Sequence, residues 1–438
     1  MNTPFAITHA TVLLGDREGT SIEDATVLVD GNGSITGVGA GLPVPAGTRI
    51  IHGAGKFVAP GLINAHAHLF SDGKPLPAFM TGEKTENKVA AFMHSPFGRR
   101  MLYGRAKKNI VTQMNSGVTT IRSLGDVRYE VVRVRNEIEA GDYLGPRVYP
   151  SGPLLAATGG HGTPTIALVT DDPWTGRRHV RANLRNGVSA IKIAATGGVT
   201  DARAIGEAGR PQMTEQEMAA ICDEAHNAGV IVAAHAQSPE GLRRCLRAGV
   251  DTIEHGSSMD DEIVELFKDN PNALHGSSAL VPTLMACLPL VKLDPSITGI
   301  DHIVRANAEM ILEEMLAGIR AALEHGITIG MGTDSGLTYV THYNTWRELD
   351  YVSRYGGLTP AEALHAATGA NARMLGISDL TGGVEVGKQA DFVLLGSNPL
   401  EDGFRAFDSP VLVSVSGALI EEPAVKRFPD IDAKLDSF

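Results

Sequence analysis

Cysteine is nearly missing. Three residues, Cys222, Cys245 and Cys287, are scattered without a C-x-x-C pair. That excludes a disulfide framework and a thiolate zinc site, and points to buried thiols in a reducing compartment. Long apolar runs are missing too. No window approaches the roughly 18 to 20 apolar residues of a spanning helix. Met1 to Asp16 lacks the basic n-region and apolar centre of a signal peptide and reads as a strand. The expectation is a soluble, cytoplasmic chain with no membrane partner. Positive charge is in deficit, with 38 Lys and Arg against 50 Asp and Glu, a net charge of −12. Nucleic acids and anionic membranes reward basic patches, so neither is expected as a partner. Aromatic residues are scarce at 5%, so no aromatic cage hints at a ligand. There is no low-complexity segment and no flexible linker.

What is present favours a large core. Hydrophobic residues make up 43% and charged residues 20% of 438 residues. That length exceeds the roughly 250 residues of a (β/α)8 barrel. Both ends look all-β. Phe5 to Leu14, Ala25 to Asp30 and Ile35 to Val38 read as strands, the last two joined by the hairpin signal Gly31-Asn32-Gly33. Asp391 to Leu395 and Val411 to Val415 read likewise at the far end.

The middle repeats one device: an amphipathic stretch ends in Gly and a β-branched run follows. It occurs at Gly117, Gly187, Gly229, Gly249 and Gly326. The glycine reads as a left-handed helix C-cap with a parallel strand next. Phe57 to His68, Arg147 to Ser151 and Ala279 to Leu284 bring the strands to eight. Capping-box signals open helices at Thr214/Glu217 and at Thr359/Glu362, the latter with Pro360 first. The pattern predicts an α/β fold, a (β/α)8 TIM-like barrel over 59–378. A small β-sandwich domain is expected from both chain ends, 1–58 and 379–438.

Metal-type residues recur where such strands end. His66 and His68 sit two apart on the first strand and face one side. Lys192 lies five residues after Gly187, His235 six after Gly229, His255 six after Gly249, and Asp334 eight after Gly326. Barrel active sites lie at the C-terminal ends of strands, so this placement points to a metal site. Lys192 is the odd member, because an ammonium has no lone pair to give a metal. It is either an ordinary buried or ion-paired lysine, or an amine whose pKa burial lowers until it takes up carbon dioxide as a carbamate.

Pro60-Gly61-Leu62-Ile63-Asn64-Ala65-His66-Ala67-His68 resembles the opening motif of the amidohydrolase superfamily. Ile191-Lys192-Ile193-Ala194-Ala195-Thr196-Gly197-Gly198-Val199 resembles the carboxylated-lysine strand of one branch. That branch contains bacterial dipeptidases, prolidase-like enzymes and hydrolases of amide-linked toxins. Ala234-His235-Ala236, Ile253-Glu254-His255-Gly256, Val281-Pro282-Thr283-Leu284, Gly332-Thr333-Asp334 and Gly387-Lys388-Gln389-Ala390-Asp391-Phe392-Val393 extend the resemblance over nearly the whole chain.

The resemblance implies two divalent metal ions, zinc first. His66, His68 and Asp334 would hold one, and His235 and His255 the other. Lys192, carboxylated by carbon dioxide, would bridge both together with a hydroxide. Asp334 would carry a proton from water to the leaving amine. His161, in Gly159-Gly160-His161-Gly162, would contact substrate and stabilise the oxyanion. Arg122 is a candidate for a substrate carboxylate or a structural ion pair. His342 and Tyr343, just past Asp334, are candidate substrate contacts. Gln237 stands where several dipeptidases of the branch carry a carboxylate-binding tyrosine, which puts a simple dipeptidase in doubt.

The leading expectation is hydrolysis of an amide bond that releases a C-terminal amino acid from a dipeptide or N-acyl amino acid. The alternatives are a cyclic amidase resembling imidazolonepropionases, against which Lys192 speaks, and a lactone or ester hydrolase. A catalytically dead binding protein is a further reading, but such relatives lose ligands and all six positions are filled here. The expected partner is a small-molecule substrate, in a chain that assembles as a homo-oligomer.

Overall fold

The computed structural model describes residues 3–75 and 83–438. Both chain ends enter one eight-stranded sheet. Phe5–Leu13, Ser21–Val29, Ile35–Ala40, Arg49–His52 and Phe57–Pro60 come from the front, and Phe392–Leu395, Leu412–Val415 and Ala418–Ile420 from the back. The strands expected from sequence at the two ends are joined in one hydrogen-bonded ladder. The reason lies in Phe5–Leu13, which pairs antiparallel with Ser21–Val29 along one edge. Along the other it pairs in parallel with Arg49–His52 near its start and with Phe57–Pro60 near its end. The ladder is therefore continuous. Phe57–Pro60 then pairs antiparallel with Phe392–Leu395, and the Phe5 and Phe392 rings meet edge-on at 6.1 Å, joining the ends through one apolar layer. The Asn32-Gly33 turn forms as expected, with Gly33 at φ +79.

The middle of the chain is built of parallel strands with helices between. Leu62–Ala67, Val118–Ser123 and Arg147–Pro150 form one sheet. Leu154–Ala156, Ala167–Val169, Ile191–Ala194, Val232–Ala236, Thr252–His255 and Ala279–Val281 form a second. The Leu154–Ala156 and Ala167–Val169 excursion was not anticipated, and the strand expected over Ala279 to Leu284 stops at Val281 because Leu284 already starts a helix.

The strand expected after Gly326 forms no continuous ladder. Single bridges join Leu280 to Ile329 and Ala67 to Ser335, and Ala65 N–H donates to the Met331 carbonyl at 3.0 Å. Asn371 supplies what the ladder lacks. Its Nδ2 donates to the Ile63 and Met331 carbonyls at 2.7 and 2.8 Å, and its Oδ1 accepts from Met331 N–H at 3.0 Å. Buried backbone groups need such partners.

The glycine device reads correctly. Gly117, Gly187, Gly229, Gly249 and Gly326 all have positive φ. Gly249 and Gly326 are left-handed caps of the helices Pro239–Ala248 and His302–His325. Both capping boxes form, at Thr214/Glu217 and Thr359/Glu362. Among the described residues no helix is long and apolar enough to cross a membrane.

Candidate metal centre

The C-terminal ends of the parallel strands bring the predicted metal-type residues together. His66 and His68 end Leu62–Ala67, Lys192 lies in Ile191–Ala194, His235 in Val232–Ala236, and His255 closes Thr252–His255. Strand alternation would turn Glu254 and His255 to opposite sides. His255 escapes this with φ +73, and Asp334 likewise sits at φ +59. Non-glycine residues in that region are strained, and such strain gathers at functional sites.

One ligand atom each from His66, His255 and Asp334 lie within 4.8 Å of one another, all buried. His68 joins through Asp334, whose Oδ1 is 3.0 Å from His68 Nε2 and 3.4 Å from His66 Nε2 but makes no hydrogen bond. His235 stands beside the group, its ring centroid 4.6 Å from that of His255. Its Nε2 donates to the Gly197 carbonyl at 2.7 Å. The compact group thus draws members from both expected sets, His66/His68/Asp334 and His235/His255.

Lys192 Nζ is buried and has no hydrogen-bond partner. Burial pulls its pKa down to about 8 even though Glu254 and Asp334 pull the other way. His66, His235 and His255 are held well below the usual imidazole range by burial first and by Lys192 among their neighbours. They are therefore neutral at pH 7, with lone pairs to offer. Burial pushes Asp334 up, but His66, His68 and Lys192 outweigh it and keep the carboxylate ionised. The donor set and its two orphaned polar atoms fit divalent cations.

Supporting contacts fix these rings. His66 Nδ1 donates to Glu254 at 2.8 Å, and His255 Nδ1 hydrogen-bonds with Thr283 Oγ1 at 2.6 Å. Such partners set the tautomer that faces a metal. Asn64 Nδ2 donates to Gln113 and Thr333, and Gln113 in turn reaches Ser335 and His342. This polar chain ties the His66 strand to the Asp334 segment. Gly332 allows the two to touch, since a Cβ there would lie 2.4 Å from that of His66.

Three candidate substrate contacts are held by protein partners. Arg122 is fully buried, donating to Glu254 at 2.8 Å, to the Ala65 carbonyl at 2.6 Å and to Thr252 at 3.1 Å. It serves as the structural ion-pair residue, with no face for a substrate. His342 is buried between Gln113 and the Ser71 carbonyl. Tyr343 is buried as well, accepting from Phe428 N–H at 2.8 Å. Both tie neighbouring segments together.

His161 and Gln237 stay beside the metal-type residues. The His161 ring stacks on His235 with centroids 4.2 Å apart. Burial would lower its pKa, and Asp201 more than offsets this, raising it. Gln237 lies just past the strand Val232–Ala236, two residues after His235, and its Oε1 is buried with no hydrogen-bond partner.

Sequence reasoning missed Glu254 and Asp201. Glu254 sits directly before His255 in the strand Thr252–His255, where a neighbouring acid drew no notice beside the histidine. Asp201 carries no signal in the sequence, because only the fold brings its loop to His161.

Residues 57–419 match the amidohydrolase family. The chain belongs to that family. Membership and the parallel strands together give a TIM-barrel-like α/β fold, and the activity they support is hydrolysis of amide bonds. A crystal structure from Bifidobacterium longum, provisionally assigned as a prolidase, is 50% identical and superposes with a TM-score of 0.87 over 99% of this chain and 98% of its own. A Xaa-Pro dipeptidase with methionine bound in its active site is 27% identical, with a TM-score of 0.80 over 95% of this amidohydrolase and 100% of that chain. Ochratoxinase from Aspergillus niger is 27% identical over an alignment of 395 positions that covers 84% of this chain and 76% of the other.

Proposed function

We propose that this amidohydrolase cleaves the amide bond of a dipeptide or N-acyl amino acid and releases the C-terminal amino acid. The proposal includes a closed (β/α)8 barrel over 59–378, a small domain from 1–58 and 379–438, and a cytoplasmic location. The observation that carries it is Lys192. A buried amine without a hydrogen-bond partner is costly, and one held near a pKa of about 8 is neutral in about a tenth of molecules at pH 7, far more than an ordinary lysine. Its nitrogen adds to carbon dioxide and loses a proton, giving a carbamate whose two oxygens can satisfy two cations.

His66, His68 and Asp334 would hold one ion and His235 and His255 the other, with carboxylated Lys192 shared. Zinc suits this imidazole and carboxylate set, and it supplies Lewis acidity and a water of pKa roughly 7. The protein's own groups do the rest. Asp334, ionised and buried, accepts the proton of the attacking water and delivers it to the leaving amine. His161 opposes the charge that develops on the carbonyl oxygen. Gln237 offers its amide to the substrate in the position where a tyrosine serves other dipeptidases of the branch. Similarity to a Xaa-Pro dipeptidase over 95% of this chain and 100% of the other supports this reading.

The test is hydrolysis of pooled dipeptides and N-acyl amino acids by zinc-loaded enzyme, read as released amine. Turnover clustered on one C-terminal residue is expected. No turnover by protein that holds its metals would overturn the reading in favour of cyclic amides, lactones or esters.

A further inference from the structure

We propose that Asp201 is a positioning residue for this reaction, holding the His161 ring in one tautomer with Nε2 turned to the scissile carbonyl. The inference rests on the reading of His161 as the group that opposes the oxyanion.

His161 sits in a loop with glycine on both sides, Gly160 and Gly162, so the backbone alone does not fix its ring. Its side chain keeps 24% of its exposure, so packing does not fix it either. Two side chains from the segment after the Lys192 strand do so instead. Asp201 takes the ring, with Oδ2 at 2.8 Å and Oδ1 at 3.0 Å from Nδ1. Gln212 takes the backbone, its Oε1 accepting from His161 N–H at 2.9 Å. Gln212 N–H is itself tied to the Ala195 carbonyl at 2.7 Å, three residues past Lys192. The far face of the ring lies on His235.

An ionised aspartate only accepts hydrogen bonds. The Nδ1 of His161 must therefore carry the proton, which leaves Nε2 as the end that meets the substrate. Gly198 makes the pairing possible. A Cβ at that position would lie 2.2 Å from His161 Nδ1 and 2.7 Å from Asp201 Oδ1, so even alanine would expel one of them. The second glycine of Thr196-Gly197-Gly198 thus has a definite task, and the carbonyl of Gly197 holds His235.

The experiment is a double-mutant cycle of Asp201→Asn and His161→Ala in metal-loaded enzyme, with Asp201→Glu as the conservative variant. His161→Ala should lower kcat by about 10²–10³. Asp201→Asn should lower it by at least about 10-fold, leave KM within about 3-fold, and cost nothing more in the His161→Ala background, because it acts through that ring. Asp201→Glu should restore part of the loss. An equal loss in both backgrounds, or a change in bound metal, would mean Asp201 merely holds the loop and would overturn the proposal. Full activity of Asp201→Asn beside a crippled His161→Ala would overturn it while leaving the amide-hydrolase reading intact. The ring nitrogens of 15N-histidine-labelled protein, assigned by subtraction of His161→Ala, need no substrate. A loss of the Nδ1–H tautomer in Asp201→Asn is expected, and an unchanged ring spectrum would overturn the proposal even if no amide is turned over.

Discussion

Replacing Arg122 by methionine separates a structural cation from a substrate-binding one. The guanidinium is fully buried and donates to Glu254, the Ala65 carbonyl and Thr252. Methionine fills most of the volume and removes the charge. Glu254 then keeps only His66 Nδ1 at 2.8 Å and the Thr252 hydroxyl at 2.6 Å. Breaking a buried pair from one side costs about 3–5 kcal/mol. The expected loss is therefore about 3–5 kcal/mol. A second change, Glu254→Gln, should return part of it by removing the stranded charge. The assay is urea unfolding followed by circular dichroism, with KM measured on whichever substrate the library identifies. Arg122→Met that unfolds at the wild-type urea midpoint but shows KM raised 100-fold or more would refute the reasoning and restore Arg122 as a substrate contact.

Lys192→Ala should lose both metal and activity with the fold retained, measured by elemental analysis and circular dichroism; a metal-replete, active variant contradicts the bridging role. Thr283→Val removes the hydrogen bond that orients His255, and metal affinity should fall about 10–100-fold, read by competition with a chromogenic chelator. Gly332→Ala should also weaken metal binding, because its methyl would lie 2.4 Å from His66 Cβ and push apart the segments that carry His66 and Asp334. Glu348 is fully buried, accepts from Leu284 and Met285 N–H, and has its pKa raised by burial to about 8. Its folded form therefore binds a proton that the unfolded form releases near pH 4.5, so its stabilisation is complete below that pH and is lost as pH rises through 8. The urea midpoint of the wild type should carry this decline between pH 4.5 and 8, and Glu348→Gln should lack it.

Much of the site was readable because strand ends announce themselves. A cap glycine marks where a helix stops, the next few residues form a strand, and whatever polar side chain ends the strand faces the active site. That logic located Lys192, His235 and His255. It left Arg122 open between two roles, because a strand-end cation looks the same whether it turns outward to a substrate or inward to Glu254, and only the fold shows the partner. It could not reach Asp201, which lies in a loop, or Asn371, which completes a ladder from 40 residues away in sequence. The small sheet was legible strand by strand, but its joining into one ladder depends on Phe5–Leu13 having two parallel partners on one edge. No local pattern encodes that.

The central claim is a lysine carbamate shared by two metal ions. The most direct measurement is metal stoichiometry together with 13C NMR on protein loaded with zinc in 13C-bicarbonate. The account predicts two ions per chain and one labelled carbamate carbon that vanishes, with the metal, in Lys192→Ala. A single ion with no labelled carbon in fully active wild-type enzyme would contradict it.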